Sequence, residues 1–112
     1  MNKKHIQEKL KYIEDFYTAV NGKWKLSILI VMYNNNKRFK EIQNSIPKIT
    51  NRVLSKELKD LEVNKLITRT VYDTTPVTIE YEVTEYCMTL KPIIQMMTDW
   101  GKNHRETIAG RK

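Results

Sequence analysis

KRFKEIQNSIPKITNRVLSKELKDLEVNKL, residues 37–66, holds two short amphipathic patterns on either side of a turn, and its reading decides the fold. In Phe39–Ile46 the apolar residues Phe39, Ile42 and Ile46 share one side, as helical spacing requires, and Pro47 stops the pattern. Lys48-Ile49 form the turn. Thr50 then offers its hydroxyl to a free backbone N–H and caps a second helix, Asn51–Asn64. That helix has an apolar inner face, Val53, Leu54, Leu58 and Leu61, and a polar, basic outer face, Asn51, Arg52, Ser55, Lys56 and Lys59. Asn64 is placed to end it. A strand rich in β-branched residues, Ile67–Tyr72, follows at once. Beyond the polar link Asp73-Thr74-Thr75-Pro76, Val77, Ile79, Tyr81 and Val83 alternate with Thr78, Glu80, Glu82 and Thr84, the period of a strand buried on one face. Two helices about a turn (39–64) followed by a hairpin (67–84) outline a winged helix-turn-helix, an α+β fold whose second helix has the shape and charge to enter a DNA major groove.

The flanks complete this reading. Ile6, Leu10, Ile13, Tyr17 and Val20, spaced by 4, 3, 4 and 3, predict a first helix over about 3–20 with the seam of a helix-pairing surface, widened by Phe16 and closed by Asn21-Gly22. About Lys23–Tyr33 a second helix is apolar nearly all round and belongs in the core, with Trp24 as packing. Asn34-Asn35-Asn36 is a turn, and Lys37-Arg38 offer a short third strand. Thr84 caps a last helix over about 85–105, with Leu90, Ile93, Ile94, Met97 and Trp100 along its apolar side and a kink expected at Pro92. Only Ala109–Lys112 read as a tail. The first and last helices are therefore the expected homodimer interface, through Ile6, Leu10, Ile13, Tyr17, Ile94, Met97 and Trp100.

At 112 residues the chain is expected to be one domain, 1–112, with extra N- and C-terminal helices around the winged motif. Its formal charge is +7, and the segment Lys37–Lys59 carries seven basic residues against Glu41 and Glu57, a local +5. This clustering, more than the total, points to a polyanion. One cysteine, Cys87, excludes an intramolecular disulfide and fits a reducing compartment. The longest apolar run, Leu26–Met32, is interrupted by Ser27 and falls far short of the ~20 residues of a membrane span. No secretory signal is apparent, so a cytoplasmic location without membrane partners is expected.

Five runs in order resemble the HxlR-type winged-helix transcriptional regulators. They are Gly22-Lys23-Trp24-Lys25-Leu26, then Lys37-Arg38-Phe39-Lys40-Glu41-Ile42, Leu54–Glu62, Ile67–Tyr72 and Ile79–Glu85, together spanning about 21–101. The resemblance implies a homodimeric bacterial or archaeal regulator, paired through its first and last helices, that binds operator DNA near a promoter. Three positions depart from the family pattern. No cysteine precedes Cys87, so an N-terminal redox sensor is not carried over; Thr78 stands where the wing often has Lys or Arg; and Cys87 stands where glycine is usual.

The expected interface with double-stranded DNA has two layers. Asn51 pairs with adenine, Arg52 with guanine and Ser55 with either, while Lys56 and Lys59 meet phosphates. Arg38, Lys40 and Lys48 grip the flanking backbone, Thr50 caps the reading helix, and Thr74, Thr75 and Thr78 offer wing hydroxyls. Cys87, third after the Thr84 cap, is the one candidate redox sensor: the helix start lowers a thiol pKa and Glu85 opposes this. An apolar effector has a candidate groove between the first and last helices. His5 and His104 stand alone, so neither metal nor cofactor is expected. Three glycines supply no phosphate loop, no Ser/His/Asp set stands out, and Glu80 and Glu82 read as a strand's solvent face, so an enzyme is not expected. The readings left open beside a repressor are a winged-helix module docking an acidic protein and a non-specific DNA binder.

Overall fold

The computed structural model describes residues 2–110. Its elements are α1 (Lys3–Val20), α2 (Lys25–Tyr33), α3 (Phe39–Ser45), α4 (Asn51–Val63), β1 (Ile67–Tyr72), β2 (Thr78–Val83), α5 (Glu85–Met88) and α6 (Lys91–Ile108). The strands form one antiparallel pair, in register from Ile67 opposite Val83 to Tyr72 opposite Thr78. The expected α+β winged helix-turn-helix is what the chain forms.

The core lies where α2, α3, α4 and the base of the hairpin meet. Ile28, Leu29, Ile42, Leu54, Leu58, Leu61 and Ile67 are fully buried there, with Cys87 beside them. The inner faces read from helical spacing are thus the faces that pack. Side chains cap the helices: Asn2 accepts the His5 N–H, Thr50 that of Val53 and Thr84 that of Cys87. Glu41 accepts the N–H groups of both Lys37 and Arg38 at the start of α3. These backbone bonds hold its carboxyl below the usual carboxylate range.

Several local expectations shift. Helix α2 begins at Lys25, because Gly22 turns at φ +90° and Trp24 takes the cap position. Lys37-Arg38 form no third strand; their one backbone bond to the sheet runs from Tyr81 N–H to Lys37 C=O at 2.8 Å. Strand β2 begins at Thr78, leaving Val77 exposed. The left-handed residue that closes α4 is Lys65 (φ +63°), one past Asn64: Leu66 N–H bonds Leu61 C=O and Lys65 N–H bonds Glu62 C=O, a Schellman closure. The single last helix is two. Thr84 caps the four-residue α5, and α6 starts afresh at Lys91 and runs three residues past Arg105 to Ile108. Pro92 therefore falls in the first turn of α6, where no N–H is needed, and causes no kink. Ala109 caps α6, and Gly110 turns at φ +74°; Arg111 and Lys112 lie outside the described residues.

The molecule is elongated, 59 × 40 × 24 Å, with a radius of gyration of 17.0 Å, against about 13 Å for a compact chain of this length. The cause is visible in α1. Its last turns pack through Val20, Phe16 and Ala19, but Ile6, Leu10, Ile13 and Tyr17 are 46–65% exposed. On α6, Met97 and Trp100 are exposed as well, whereas Ile94, expected on the pairing face, is buried in the protomer's own core at 5%. Its side chain is spent inside the monomer, so it is not a surface contact.

Candidate nucleic-acid interface

Helix α4 is set between α2, β1 and solvent by its inner residues, and this places Asn51, Arg52, Ser55, Lys56 and Lys59 together on the exposed side. The side chain of Asn51 accepts a hydrogen bond from Gln43 of α3, so its amide is already oriented across the helix-turn-helix. Thr50 holds its capping bond to Val53 at 3.2 Å. Lys48 occupies the turn with φ +68°, its side chain exposed.

The basic residues are not equivalent once folded. Lys25 of α2, buried at 5%, donates to Glu57 Oε2 at 2.8 Å and lies 3.3 Å from Asp60 Oδ2. Lys56 donates to the same Asp60 oxygen at 2.9 Å and lies 3.7 Å from Glu57. Two lysines and two carboxylates thus form one neutral cluster joining α2 to α4. The bond from Lys56, with a smaller contribution from Lys25, holds the Asp60 carboxyl below its usual range, and Asp60 in turn raises Lys56. By sequence Glu57 only counts against the basic residues of Lys37–Lys59, and Lys25, named in the family run, receives no electrostatic role. A lysine inside an otherwise apolar helix, with carboxylates on a neighbouring helix, was the available signal.

Around the hairpin, Arg38 faces Glu80 at 3.7 Å and Lys37 faces Glu82 at 3.6 Å. Lys40 reaches Gln43 at 3.4 Å. Among the described residues Lys48, Arg52 and Lys59 have no acidic partner, and neither has Arg69 of β1, which sequence reasoning did not select. Ser55, Lys59 and Arg69 line one cleft of about 260 Å³ between α4 and the hairpin. In the wing, the Thr74 hydroxyl donates to Pro76 C=O at 2.7 Å and lies 3.0 Å from the Thr78 hydroxyl, while Thr75 is exposed. Two of the three threonines thus serve the turn itself.

Cys87 is fully buried. The Tyr33 hydroxyl donates to its carbonyl at 2.6 Å and lies 3.2 Å from its sulfur. Burial pushes the thiol above its usual range and outweighs the Tyr33 bond; the accelerating effect expected of a helix start is not what governs this thiol. Burial likewise raises the Tyr33 hydroxyl. The last turns of α1 and the α5 segment bound a cavity of about 240 Å³ lined by Asp15, Phe16, Val20, Tyr86, Thr89 and Leu90, and no α6 residue lines it. No group of three or more His, Cys, Asp or Glu among the described residues is arranged to hold a metal, and no helix is long and apolar enough to cross a membrane.

A model of the HxlR-like helix-turn-helix family matches residues 19–109. YtcD, an HTH-type transcriptional regulator of Bacillus subtilis (strain 168), is 37% identical over 106 residues, covering 92% of this chain and 84% of YtcD. An HTH-type transcriptional regulator of Methanothermobacter thermautotrophicus is 38% identical over 102 residues, 88% of this chain and 78% of that protein. Among solved structures, the redox regulator HypR in its reduced form superposes with a TM-score of 0.81 at 35% identity, over 88% of this chain and 97% of HypR.

Proposed function

The chain belongs to the HxlR-like helix-turn-helix family, and from that premise we propose that it is a homodimeric repressor that reads a palindromic operator with α4 in the major groove. Its relatives and structural neighbours are transcriptional regulators rather than enzymes, and the chain is a transcriptional regulator of the helix-turn-helix type. The observation that supports the finer reading is the outer face of α4. Asn51, Arg52 and Ser55 are exposed at its start, where a major-groove helix presents base-reading groups, while Leu54, Leu58 and Leu61 hold its other side in the core. Arg52 is the guanine reader, Asn51 the adenine reader, and Lys40 and Lys48 meet flanking phosphates. Thr75 is the wing hydroxyl free for a phosphate.

The exposed stripe Ile6, Leu10, Ile13 and Tyr17, with Met97 and Trp100, supports the dimer. A helix of 18 residues with its apolar seam in water has its natural cover in a second copy. The site of action is then the cytoplasm. HypR is a redox regulator; here the single cysteine is buried and bonded, which favours a signal other than thiol oxidation.

The test is binding to the duplex upstream of the protein's own gene and to a scrambled duplex, at two salt concentrations. A preference that survives the higher salt, with a two-fold footprint, is expected. Arg52→Ala should relax selectivity at one base position per half-site, by about 1–3 kcal/mol of discrimination. Equal, steeply salt-sensitive binding of both duplexes would instead favour a non-specific binder. No binding of either would favour docking to an acidic protein. Leu10→Asp should yield monomers in sedimentation and lose the paired footprint.

A further inference from the structure

We propose that the cleft between α4 and the hairpin is the seat of a DNA backbone phosphate, held by Lys59 and Arg69 with the Ser55 hydroxyl, and that Lys56 takes no part in it. The inference rests on the DNA-binding reading above and names the chemistry of that surface.

Three observations carry it. The first is placement. Ser55 and Lys59 are one turn apart on the outer face of α4. Arg69 follows buried Ile67 by two residues on β1, so its side chain leaves the same face of the strand that packs on α4 and lines the same cleft. The second is charge. Lys56 and Lys25 are matched by Glu57 and Asp60, so the field of that cluster is close to neutral. Among the described residues Lys59 and Arg69 have no ion-pair partner, and against them the cleft holds the one carboxylate of Glu62, leaving a local +1 that a phosphodiester completes. The third is chemistry. An arginine fork, an ammonium and a hydroxyl are the donors that phosphate oxygens accept from, and Leu58 and Tyr81 complete the lining of the cleft. A phosphate seated between the inserted helix and the wing fixes how far α4 enters the groove, so the contact sets register for the residues that read bases.

The salt dependence of binding to the upstream and scrambled duplexes tests this. Each lost phosphate contact flattens log K against log[salt] by about 0.9. Arg69→Ala and Lys59→Ala should each lower that slope by this amount per half-site and weaken both duplexes by the same factor. Lys56→Ala should keep the wild-type slope, Arg69→Lys should retain it, and Glu62→Gln should tighten both duplexes. Circular dichroism of each variant confirms the fold. If Arg69→Ala and Lys59→Ala keep the wild-type slope while Arg52→Ala still relaxes selectivity, the cleft is not the seat and the DNA reading stands. A slope change in Lys56→Ala equal to that of Lys59→Ala overturns the exclusion of Lys56. Wild-type protein that binds neither duplex overturns both readings.

Discussion

Replacing Lys25 with methionine keeps an unbranched, flexible side chain one heavy atom shorter and removes the charge from a site that is 5% exposed. Glu57, itself 9% exposed, then loses its closest cationic partner, the ammonium at 2.8 Å. Breaking a buried ion pair from one side destabilises by roughly 3–5 kcal/mol, because the remaining charge is left without compensation. Two features soften this. Lys56 remains 3.7 Å from Glu57, and Asp60 keeps its bond to Lys56 at a side-chain exposure of 39%. A loss of about 2–4 kcal/mol is the expected result, a sizeable part of the roughly 5–15 kcal/mol that holds a domain folded. Removing both charges in Lys25→Met/Glu57→Met should recover much of it, since well-packed apolar replacements of a buried pair are often neutral. Urea unfolding followed by circular dichroism measures all four proteins. Each is run at several protein concentrations, because the proposed dimerisation would couple to the apparent stability. The expected coupling between the two sites is about 2 kcal/mol, above the usual scatter of additivity. A loss below about 1 kcal/mol in Lys25→Met, with the double variant equal to the sum of the singles, would refute the view that this pair joins α2 to α4.

Lys65 closes α4 in the left-handed region, which costs a side-chain-bearing residue about 1–2 kcal/mol; glycine there removes the strain but gains unfolded-chain entropy of roughly 0.4–1 kcal/mol. Lys65→Gly should therefore stabilise by about 0.5–1 kcal/mol, read as a higher thermal midpoint, and an unchanged or lower midpoint would count against the Schellman closure. The Glu41 carboxyl is held below the usual carboxylate range in the folded chain by its two backbone bonds, so its contribution is complete above the unfolded-chain value and fades as pH falls through the folded one. The stability deficit of Glu41→Gln should accordingly be present at neutral pH and shrink in acid; a deficit independent of pH would show that the charge is not what caps α3. Cys87, buried and with its thiol raised, should react with a thiol reagent at neutral pH only as fast as the protein opens, and faster in urea. Prompt labelling of the native protein would contradict its burial.

The winged motif was legible because its signals are local. Phe39, Ile42 and Ile46 before Pro47, Thr50 as a cap, and the inner row Val53, Leu54, Leu58 and Leu61 depend on neighbours within a turn or two, and each packs where spacing put it. The apolar stripe of α1 was legible for the same reason, and Ile6, Leu10, Ile13 and Tyr17 lie exposed along it. The last helix was misjudged because Pro92 suits both a kink and a first turn. The break at Thr89-Leu90 decides between them; ahead of it Thr84 caps α5 and ties its start to Lys65 C=O in the α4–β1 connection. Ile94 was misplaced because the apolar side of α6 is wide enough to serve core and surface at once, and periodicity does not say where one ends.

Sequence by itself determined the order of elements, the inner and outer faces of α4 and the concentration of basic residues from Lys37 to Lys59, since these follow from residue type and spacing along a single helix or strand. Which of those charges are free was decided only by tertiary structure. Glu80 and Glu82 return on the hairpin to meet Arg38 and Lys37, Lys25 arrives from α2 to share Asp60 with Lys56, and Arg69 comes round on β1 to stand beside Lys59. Electrostatic energy depends on separation in space, falling steeply over a few ångströms, and residues 10 to 45 positions apart acquire that separation only when the chain has folded.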